Sequence, residues 1–309
     1  MPDGDRSTTD WPPRVYGVLA LGVLSFTVAP ILVRYAQDAP GLAVAAWRTV
    51  IAAGCLMPPL ALRSRDEIRQ FTARDVGLIL AAGVALGLHF IAWIESLYHT
   101  SVASSSVLVT SSPIFVAGLG YLVLGERLSG RTVAAIGAAV GGAALIGWTD
   151  SGAVLARGAT TGWGNSLALG AAVLVSVYLL IGRVVRQKVS WLAYVGPLYA
   201  VAALTAVVAA GLQDVPLFGH APRVYLLCAG LAIGPQLLGH GSFNYALQHV
   251  PAAVVGMLAL LEPVGASILA YVLFAEVPPL AAVVGMGVVL AAVGVVVWGR
   301  RRESTVGDE

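Results

Sequence analysis

Long apolar runs of about twenty residues each, separated by short polar stretches, recur along almost the whole chain. A helix rising 1.5 Å per residue needs about 20 apolar residues to cross about 30 Å of hydrocarbon. The runs are continuously apolar rather than alternating, which favours helices over the strands of a membrane barrel. We therefore predict membrane-spanning helices at residues 15–35, 40–62, 76–98, 101–125, 130–148, 164–183, 190–211, 224–247, 250–275 and 278–299.

The composition supports a membrane protein and argues against other classes. Charged residues make up 11% of the sequence and hydrophobic residues 58%, whereas soluble domains carry about 25% charged residues. The net charge of +2 gives no reason to expect nucleic-acid binding. Cys55 and Cys228 lie in apolar runs without metal or disulfide spacing, so we expect no metal and no cofactor. The polar start of the chain leads us to expect no cleavable signal peptide.

Lysine and arginine concentrate at one set of helix connections, and this distribution predicts how the chain is threaded. Cytoplasmic loops of membrane proteins carry an excess of these residues. With a cytoplasmic amino terminus, 14 of the 18 Lys and Arg residues lie in inside segments, three lie outside and Arg48 lies within a helix. We therefore predict a multi-pass protein of the cytoplasmic (inner) membrane with both termini in the cytoplasm.

The two halves of the chain align at an offset of 150 residues. The matched pairs include His99 with His249, Pro113 with Pro263, and Glu126 with Glu276. Five helices per half is an odd number, so the second half enters the membrane from the opposite side, as in the inverted repeats of secondary transporters. The prediction is an all-α membrane protein of ten helices in two inverted five-helix repeats around a central cavity. Its segments are a cytoplasmic tail (1–14), the first repeat (15–148), a linker (149–163), the second repeat (164–299) and a second cytoplasmic tail (300–309).

Several motifs resemble the EamA type of the drug/metabolite transporter superfamily. They are His89-Phe90-Ile91-Ala92-Trp93-Ile94-Glu95-Ser96-Leu97, Ser111-Ser112-Pro113, Asn244-Tyr245-Ala246-Leu247, Leu261-Glu262-Pro263-Val264 and Trp47-Arg48. The resemblance implies ten helices, both termini inside, and a central cavity lined by helices one to four and six to nine. It also implies movement of amino acids, other small metabolites or drugs, often outward. The second repeat carries no charge at the position that matches Arg48.

Charged side chains within the spans are few, and each is costly in hydrocarbon, by about 2.5–3.5 kcal/mol on insertion scales. Arg48, Glu95 and Glu262 are the main examples. One interpretation is a structural ion pair, in which Glu262 or Glu95 neutralises Arg48. The other is functional: Arg48 meets a substrate carboxylate, or Glu262 exchanges a proton.

Two polar stripes mark helices three and eight, which occupy matching positions in the repeat. Gln236, His240 and Asn244 are spaced by four and so share one helical face, and His89 and Trp93 form a similar stripe. A polar stripe is unfavourable against lipid, so both should face the interior. They form either a cavity wall or hydrogen-bonded helix contacts.

Pro113 and Pro263 fall in the middle of spans four and nine. A proline removes one backbone hydrogen bond and favours a kink. We predict that these kinks either serve gating movements or simply shape the packing.

The sequence favours a small-molecule transporter over two alternatives. A flippase of lipid or a lipid-linked precursor with the same fold would need a lateral opening to lipid. An enzyme is not supported: no intramembrane aspartate, no His-Glu-x-x-His and no Gly-x-Ser-x-Gly occur, so we assign no catalytic residue. The expected partners are a small-molecule substrate and membrane lipid, and the expected assembly is a monomer or a weak homodimer.

Overall fold

The computed structural model describes residues 11–149, 160–274 and 277–305, and the regular structure within these ranges is helical throughout. Most of the predicted linker, both chain ends and the matched residue Glu276 lie outside the described residues. In the first half the helices are α1 Pro13–Thr27, α2 Ala29–Tyr35, α3 Gly41–Arg63, α4 Arg65–Ile68, α5 Ala73–His99, α6 Val102–Thr110, α7 Ser112–Leu124 and α8 Gly130–Thr149. In the second half they are α9 Thr160–Val185, α10 Trp191–Leu212, α11 Pro222–Leu231, a π-helical segment Ala232–His240, α12 Gly241–Ala246, α13 Ala252–Ala259, α14 Leu261–Phe274 and α15 Leu280–Thr305.

Nine stretches of the described chain are long and apolar enough to cross a membrane. They coincide with nine of the ten predicted spans, so the chain is a multi-pass helical membrane protein. The remaining predicted span, 130–148, corresponds to α8, whose apolar part Gly130–Ile146 is shorter than the other nine. The ten-helix arrangement therefore stays a prediction.

Local chemistry explains where several helices begin and end. Helix α5 begins with a capping box, in which the Thr72 hydroxyl accepts from the Asp75 amide and the Asp75 carboxylate accepts from the Thr72 amide. Helix α10 begins where the Ser190 hydroxyl accepts from the Ala193 amide. Helix α7 ends at Gly125, whose φ of 67° is the left-handed conformation that glycine adopts readily.

The two halves pack against each other along their helices. Helix α5 lies against α9 and α10, α3 also packs on α10, and α8 packs on α15. Small residues permit the close approach, as in many membrane bundles. A Cβ added at Gly83 would lie 2.5 Å from the Val201 Cβ, and one at Gly142 would lie 2.8 Å from the Gly285 carbonyl oxygen. Larger residues at these positions would force the helices apart.

Four spans are irregular. The first predicted span breaks at Val28, the fourth breaks at Ser111, two residues before Pro113, and the ninth breaks at Leu260, three residues before Pro263. The eighth contains the π-helical segment, in which the Gly241 amide donates to the Gln236 carbonyl five residues earlier. Such π-helical turns are frequent at functional sites. All four irregular regions contribute residues to the cavity described next.

Candidate functional site

A partly open cavity lies among the helices of both halves, with about 600 Å³ of atom-free space, part of it continuous with the surroundings. The lining is mostly apolar and aromatic, with a few polar groups: Phe26, Ala29, Arg48, His89, Phe90, Trp93, Val109, Thr110, Ser112, Val175, Tyr178, Leu179, Pro235, His240, Phe243, Gly256, Ala259 and Glu262.

Arg48 supplies a buried positive charge to this cavity. Its side chain is on α3 and only 1% of the residue is exposed. The Nε group donates to the Gln236 Oε1 atom at 3.1 Å. The guanidinium carbon lies 4.1 Å from the centroid of the Phe90 ring and 5.9 Å from that of Trp93. These contacts hold the guanidinium against an aromatic wall, where cation–π attraction stabilises the charge.

The predicted structural ion pair for Arg48 is not formed. In the part of the chain that the structure describes, no carboxylate lies within 4.0 Å of this guanidinium, and neither Nη nitrogen has a hydrogen-bond partner. Glu95, one predicted partner, instead reaches the amino-terminal end of α3 beside Gly41 and the Leu42 amide. A carboxylate is favoured there by the partial positive charge of a helix amino terminus. Arg48 is thus left with two unused donor groups.

The two predicted histidines lie side by side, with ring centroids 5.8 Å apart. The His89 Nδ1 atom lies 2.9 Å from the Ala171 carbonyl oxygen. Because a carbonyl only accepts, Nδ1 carries the proton, which leaves Nε2 as the acceptor in the neutral ring. The His240 Nδ1 atom lies 3.4 Å from the Tyr178 hydroxyl, and the edges of the Phe26 and Phe90 rings pack against its imidazole.

Glu262 supplies a buried carboxyl group to the same cavity. It lies in the first turn of α14 and is 7% exposed. Its Oε1 atom accepts a hydrogen bond from the Ser106 hydroxyl at 3.1 Å. No Lys, Arg or His nitrogen lies within 4.0 Å of it among the residues described here. The cavity therefore holds one cation and one carboxylate, neither of which has an ion-pair partner.

Five of the predicted binding residues line the cavity together: Arg48, His89, Trp93, His240 and Glu262. Gln236 and Asn244 are fully buried but are not part of the lining. Gln236 holds the Arg48 side chain, and the Asn244 Nδ2 group donates to the His240 carbonyl at 2.8 Å. The prediction that these residues share one face assumed a regular α-helix. That assumption does not hold, because Gln236 and His240 lie in the π-helical segment.

Both predicted kink prolines lie next to the cavity wall. Pro113 follows the lining residue Ser112 at the start of α7, and it packs against the lining residue Gly256. Pro263 follows Glu262, and its carbonyl accepts from the Ser267 hydroxyl at 2.8 Å. Each proline thus lies just after a break in its span.

Sequence reasoning missed several residues of the site. Phe26 and Phe90 are ordinary apolar letters within apolar helices, and nothing in their spacing separates them from lipid-facing phenylalanines. Ser106 lies in a run of three serines, and the sequence does not show which of them meets Glu262. Its position four residues before Thr110 is the one available signal, since residues spaced by four lie on one helical face.

Five pairs of lining residues are related by the offset of 150 found in the sequence. They are Ala29 with Leu179, Phe90 with His240, Trp93 with Phe243, Val109 with Ala259, and Ser112 with Glu262. Matched positions of the two halves therefore contribute to one cavity. At one of these pairs a carboxyl group is present only in the second half, because the first half has Ser112 where the second half has Glu262.

The site has no evident place for a metal ion. In residues 11–149, 160–274 and 277–305, no group of three or more His, Cys, Asp or Glu side chains is placed to hold one. The polar side-chain groups of the lining are instead one guanidinium, one carboxyl group, two imidazoles, the indole N–H of Trp93, and the hydroxyls of Thr110, Ser112 and Tyr178.

Comparison with known proteins places the chain among transporters. The sequence model of the EamA-like transporter family matches twice, at residues 14–148 and 162–298. A probable terminal-alkyne amino-acid exporter of Streptantibioticus cattleyicolor is 30% identical over 307 aligned positions, covering 93% of this chain and 95% of that protein. An uncharacterised transporter of Archaeoglobus fulgidus is 25% identical over 75% of this chain and 81% of that protein. A solved crystal structure, 18% identical, shares the fold with a TM-score of 0.75 over 94% of this chain and 98% of that chain.

Proposed function

Because the chain belongs to the EamA-like transporter family, we propose that it is a secondary transporter that exports amino acids or closely related small metabolites or drugs across the cytoplasmic membrane. The family and the transporter names of its relatives indicate a transporter rather than an enzyme, with small molecules as substrates. The substrate class, the direction and the mechanism are our inference from the cavity.

The observation that carries this proposal is the unpaired guanidinium of Arg48. A buried charge without a partner is unfavourable, and a ligand carboxylate would relieve it. A guanidinium presents planar, forked donors that match a carboxylate in two parallel hydrogen bonds. Its two Nη groups lack partners in the described protein, while Gln236 and Phe90 hold the group in place. We assign Arg48 as the carboxylate-binding residue.

The rest of the cavity matches the other parts of an amino acid. Glu262 is available for an ammonium group, since its one described hydrogen bond comes from the neutral Ser106 hydroxyl. Trp93, Phe243 and the aliphatic lining residues provide contact area for an apolar side chain. His89 and His240 complete the proposed site, with Gln236 and Asn244 as buried supports. The named activity of the Streptantibioticus cattleyicolor relative, export of a terminal-alkyne amino acid, agrees with this substrate class.

We further propose that transport proceeds by alternating access of two inverted repeats. The support is the offset of 150 residues, which relates five pairs of cavity residues, and the double match of one family model. The breaks next to Pro113 and Pro263 are the proposed flexible points. The Lys and Arg distribution supports cytoplasmic termini. We also propose that the protein is a monomer or a weak homodimer.

Flux measurements in proteoliposomes test the proposal. The purified full-length protein is reconstituted and supplied with radiolabelled amino acids, including L-propargylglycine, an α-amino acid with a terminal alkyne. We expect saturable flux of at least one amino acid with an apolar side chain. Flux of none of them, or movement of a fluorescent phospholipid between leaflets instead, would contradict the proposal and favour the flippase alternative.

A further inference from the structure

The surroundings of Glu262 differ from those expected of a permanently charged carboxylate. The residue lies about midway along the ninth predicted span, where ionised side chains are costly. One of its oxygens accepts a hydrogen bond from Ser106, at 3.1 Å. A buried carboxylate is usually stabilised by a cation or by several donors, and otherwise takes up a proton.

The elements packed against α14 offer it no counter-ion. These are α1, α6, α8, α13 and α15. Helix α1 carries only Arg14 and Tyr16, near its start, and α8 carries only Arg131, in its first turn. Helices α6 and α13 carry no titratable group, and α15 carries none before residue 300. Across the cavity, the titratable lining residues are Arg48, His89, Tyr178 and His240, and none of them bonds to Glu262.

The two unpaired groups of the cavity differ in how they can lose their charge. A guanidinium stays protonated in proteins, so Arg48 is relieved only by an anion. A carboxylate has a second option, because it becomes neutral by binding a proton. The empty cavity thus has a natural resting form, with Arg48 charged and Glu262 protonated and accepting from Ser106.

Resting on the proposed function, we propose that Glu262 binds a proton in the empty transporter and releases it when the ammonium group of an amino acid binds beside it. In this exchange the O–H bond of Glu262 breaks, the proton goes to water in the cavity, and the carboxylate pairs with the ammonium group. When the amino acid leaves on the other side of the membrane, Glu262 takes a proton from water there. One proton moves in the direction opposite to each amino acid.

This assignment makes the coupling a property of one half of the chain. The position that matches Glu262 in the first half is Ser112, which cannot carry a charge and whose carbonyl accepts from Ser176. Cavity residues matched by the offset therefore shape the site together, while the exchangeable proton resides only in the second half.

Proton release on binding tests the proposal directly. L-propargylglycine is added to the purified full-length protein in detergent, in a weakly buffered solution with a pH indicator. We expect release of about one proton per bound ligand near neutral pH, because the empty protein holds one more proton than the complex. The matched control is 4-pentynoic acid, which has the same alkyne and carboxylate but no ammonium group, and it should release none.

Variants identify the group that loses the proton. Glu262→Gln should abolish proton release. Glu95→Gln, the same change at a residue of α5 whose carboxylate lies beside Gly41, should leave it intact. Release that persists in Glu262→Gln would overturn the assignment. If Glu262→Gln fails to fold, wild-type protein still decides the question, since binding of L-propargylglycine without proton release would overturn the proposal.

Accumulation in proteoliposomes separates this inference from the proposed function. With the membrane potential clamped, a lumen one pH unit more acidic than the outside should concentrate L-propargylglycine about tenfold, since one unit corresponds to one factor of ten. Downhill flux without such accumulation would overturn proton exchange but leave the transport function standing. Absence of any amino-acid flux would remove the proposed function itself.

Discussion

Charged groups are arranged differently in the buried cavity and at the partly exposed helix ends around Lys188. In the cavity, Arg48 and Glu262 have no ion-pair partner among the described residues. Around Lys188, charged groups are paired across the two halves of the chain. We call these groups the ion-pair cluster: Glu67, Asp75, Glu126, Arg183, Lys188 and Ser190.

The contacts of the ion-pair cluster are short and specific. The Lys188 Nζ atom lies 2.6 Å from the Asp75 Oδ1 atom, and the Ser190 amide donates to the Glu67 Oε1 atom at 2.6 Å. Each contact joins the first half to the second. The comparison indicates that charges at the cluster stabilise the packing, whereas the cavity groups, which have no ion-pair partner, are the ones that we propose bind a ligand.

The largest expected effect comes from removing the cavity cation. Arg48→Ala should lower the transport efficiency for an amino acid about 100-fold, since losing one partner of a buried charge pair costs roughly 2–5 kcal/mol. It should change the thermal stability little, because the variant loses the Gln236 hydrogen bond and the Phe90 contact but also removes a buried charge that has no ion-pair partner. Flux in proteoliposomes and thermal unfolding in detergent measure the two quantities.

An exposed arginine provides the control for that variant. Arg223 pairs with Asp38 at 2.5 Å, and both side chains are more than half exposed. Because exposed pairs contribute about 0–1 kcal/mol, Arg223→Ala should leave both flux and stability nearly unchanged. Normal flux in Arg48→Ala would contradict the proposal that the cavity cation binds the substrate.

At the ion-pair cluster we expect a substitution to lower stability. Asp75→Ala removes the pair with Lys188 and the capping box with Thr72, so the free energy of unfolding should fall by about 1–3 kcal/mol. Asp66, in an exposed pair with Arg69, is the matched site, and Asp66→Ala should have little effect. Equal stability of the two variants would contradict the structural role of the cluster.

A smaller effect is expected from the aromatic wall beneath Arg48. Phe90→Leu removes the ring 4.1 Å from the guanidinium and should weaken amino-acid binding about fivefold, because a cation–π contact contributes roughly 0.5–2 kcal/mol. Phe90→Tyr keeps the ring and should bind almost as well as wild type. If both variants bind equally weakly, the ring acts through shape rather than through its attraction for the cation.

The smallest expected effect concerns a histidine beside the ion-pair cluster. Burial, then the nearby charges of Arg14, Arg186 and Arg183, lower the pKa of His249 below its usual value. The unfolded chain therefore binds this proton more readily than the folded protein, so stability should rise with pH in the window just below about 6.5. His249→Gln should reduce that slope slightly in thermal unfolding measured from pH 5 to pH 7. A slope identical to wild type would show that these charges do not act on His249.

The sequence was sufficient to predict the features that follow from burial in lipid, namely the spans and the inward position of polar side chains. Apolar runs predicted nine spans that the structure contains, because only a continuous apolar helix of that length crosses a bilayer. Because polar groups within spans avoid lipid, the sequence also predicted that Arg48, His89 and Glu262 face the interior. All three line the same cavity.

Features that depend on the detailed path of a helix were not predictable. The π-helical segment places Gln236 against Arg48, and no residue pattern indicated that turn. The sequence also did not show that Arg48 lacks an ion-pair partner. The depth of a residue along its span does not show which side chains meet between helices. Glu95 lies at a suitable depth but turns to the end of α3.

The most direct test of the account pairs one change in the protein with one change in the ligand. Binding of L-propargylglycine and of but-3-yn-1-amine, which lacks the carboxylate, is measured by calorimetry on wild type and Arg48→Ala. If Arg48 binds the carboxylate, wild type should bind but-3-yn-1-amine about 100-fold more weakly than L-propargylglycine. Arg48→Ala should bind the two ligands with nearly equal affinity. Equal weakening in both proteins would show that the carboxylate binds elsewhere and would contradict the account.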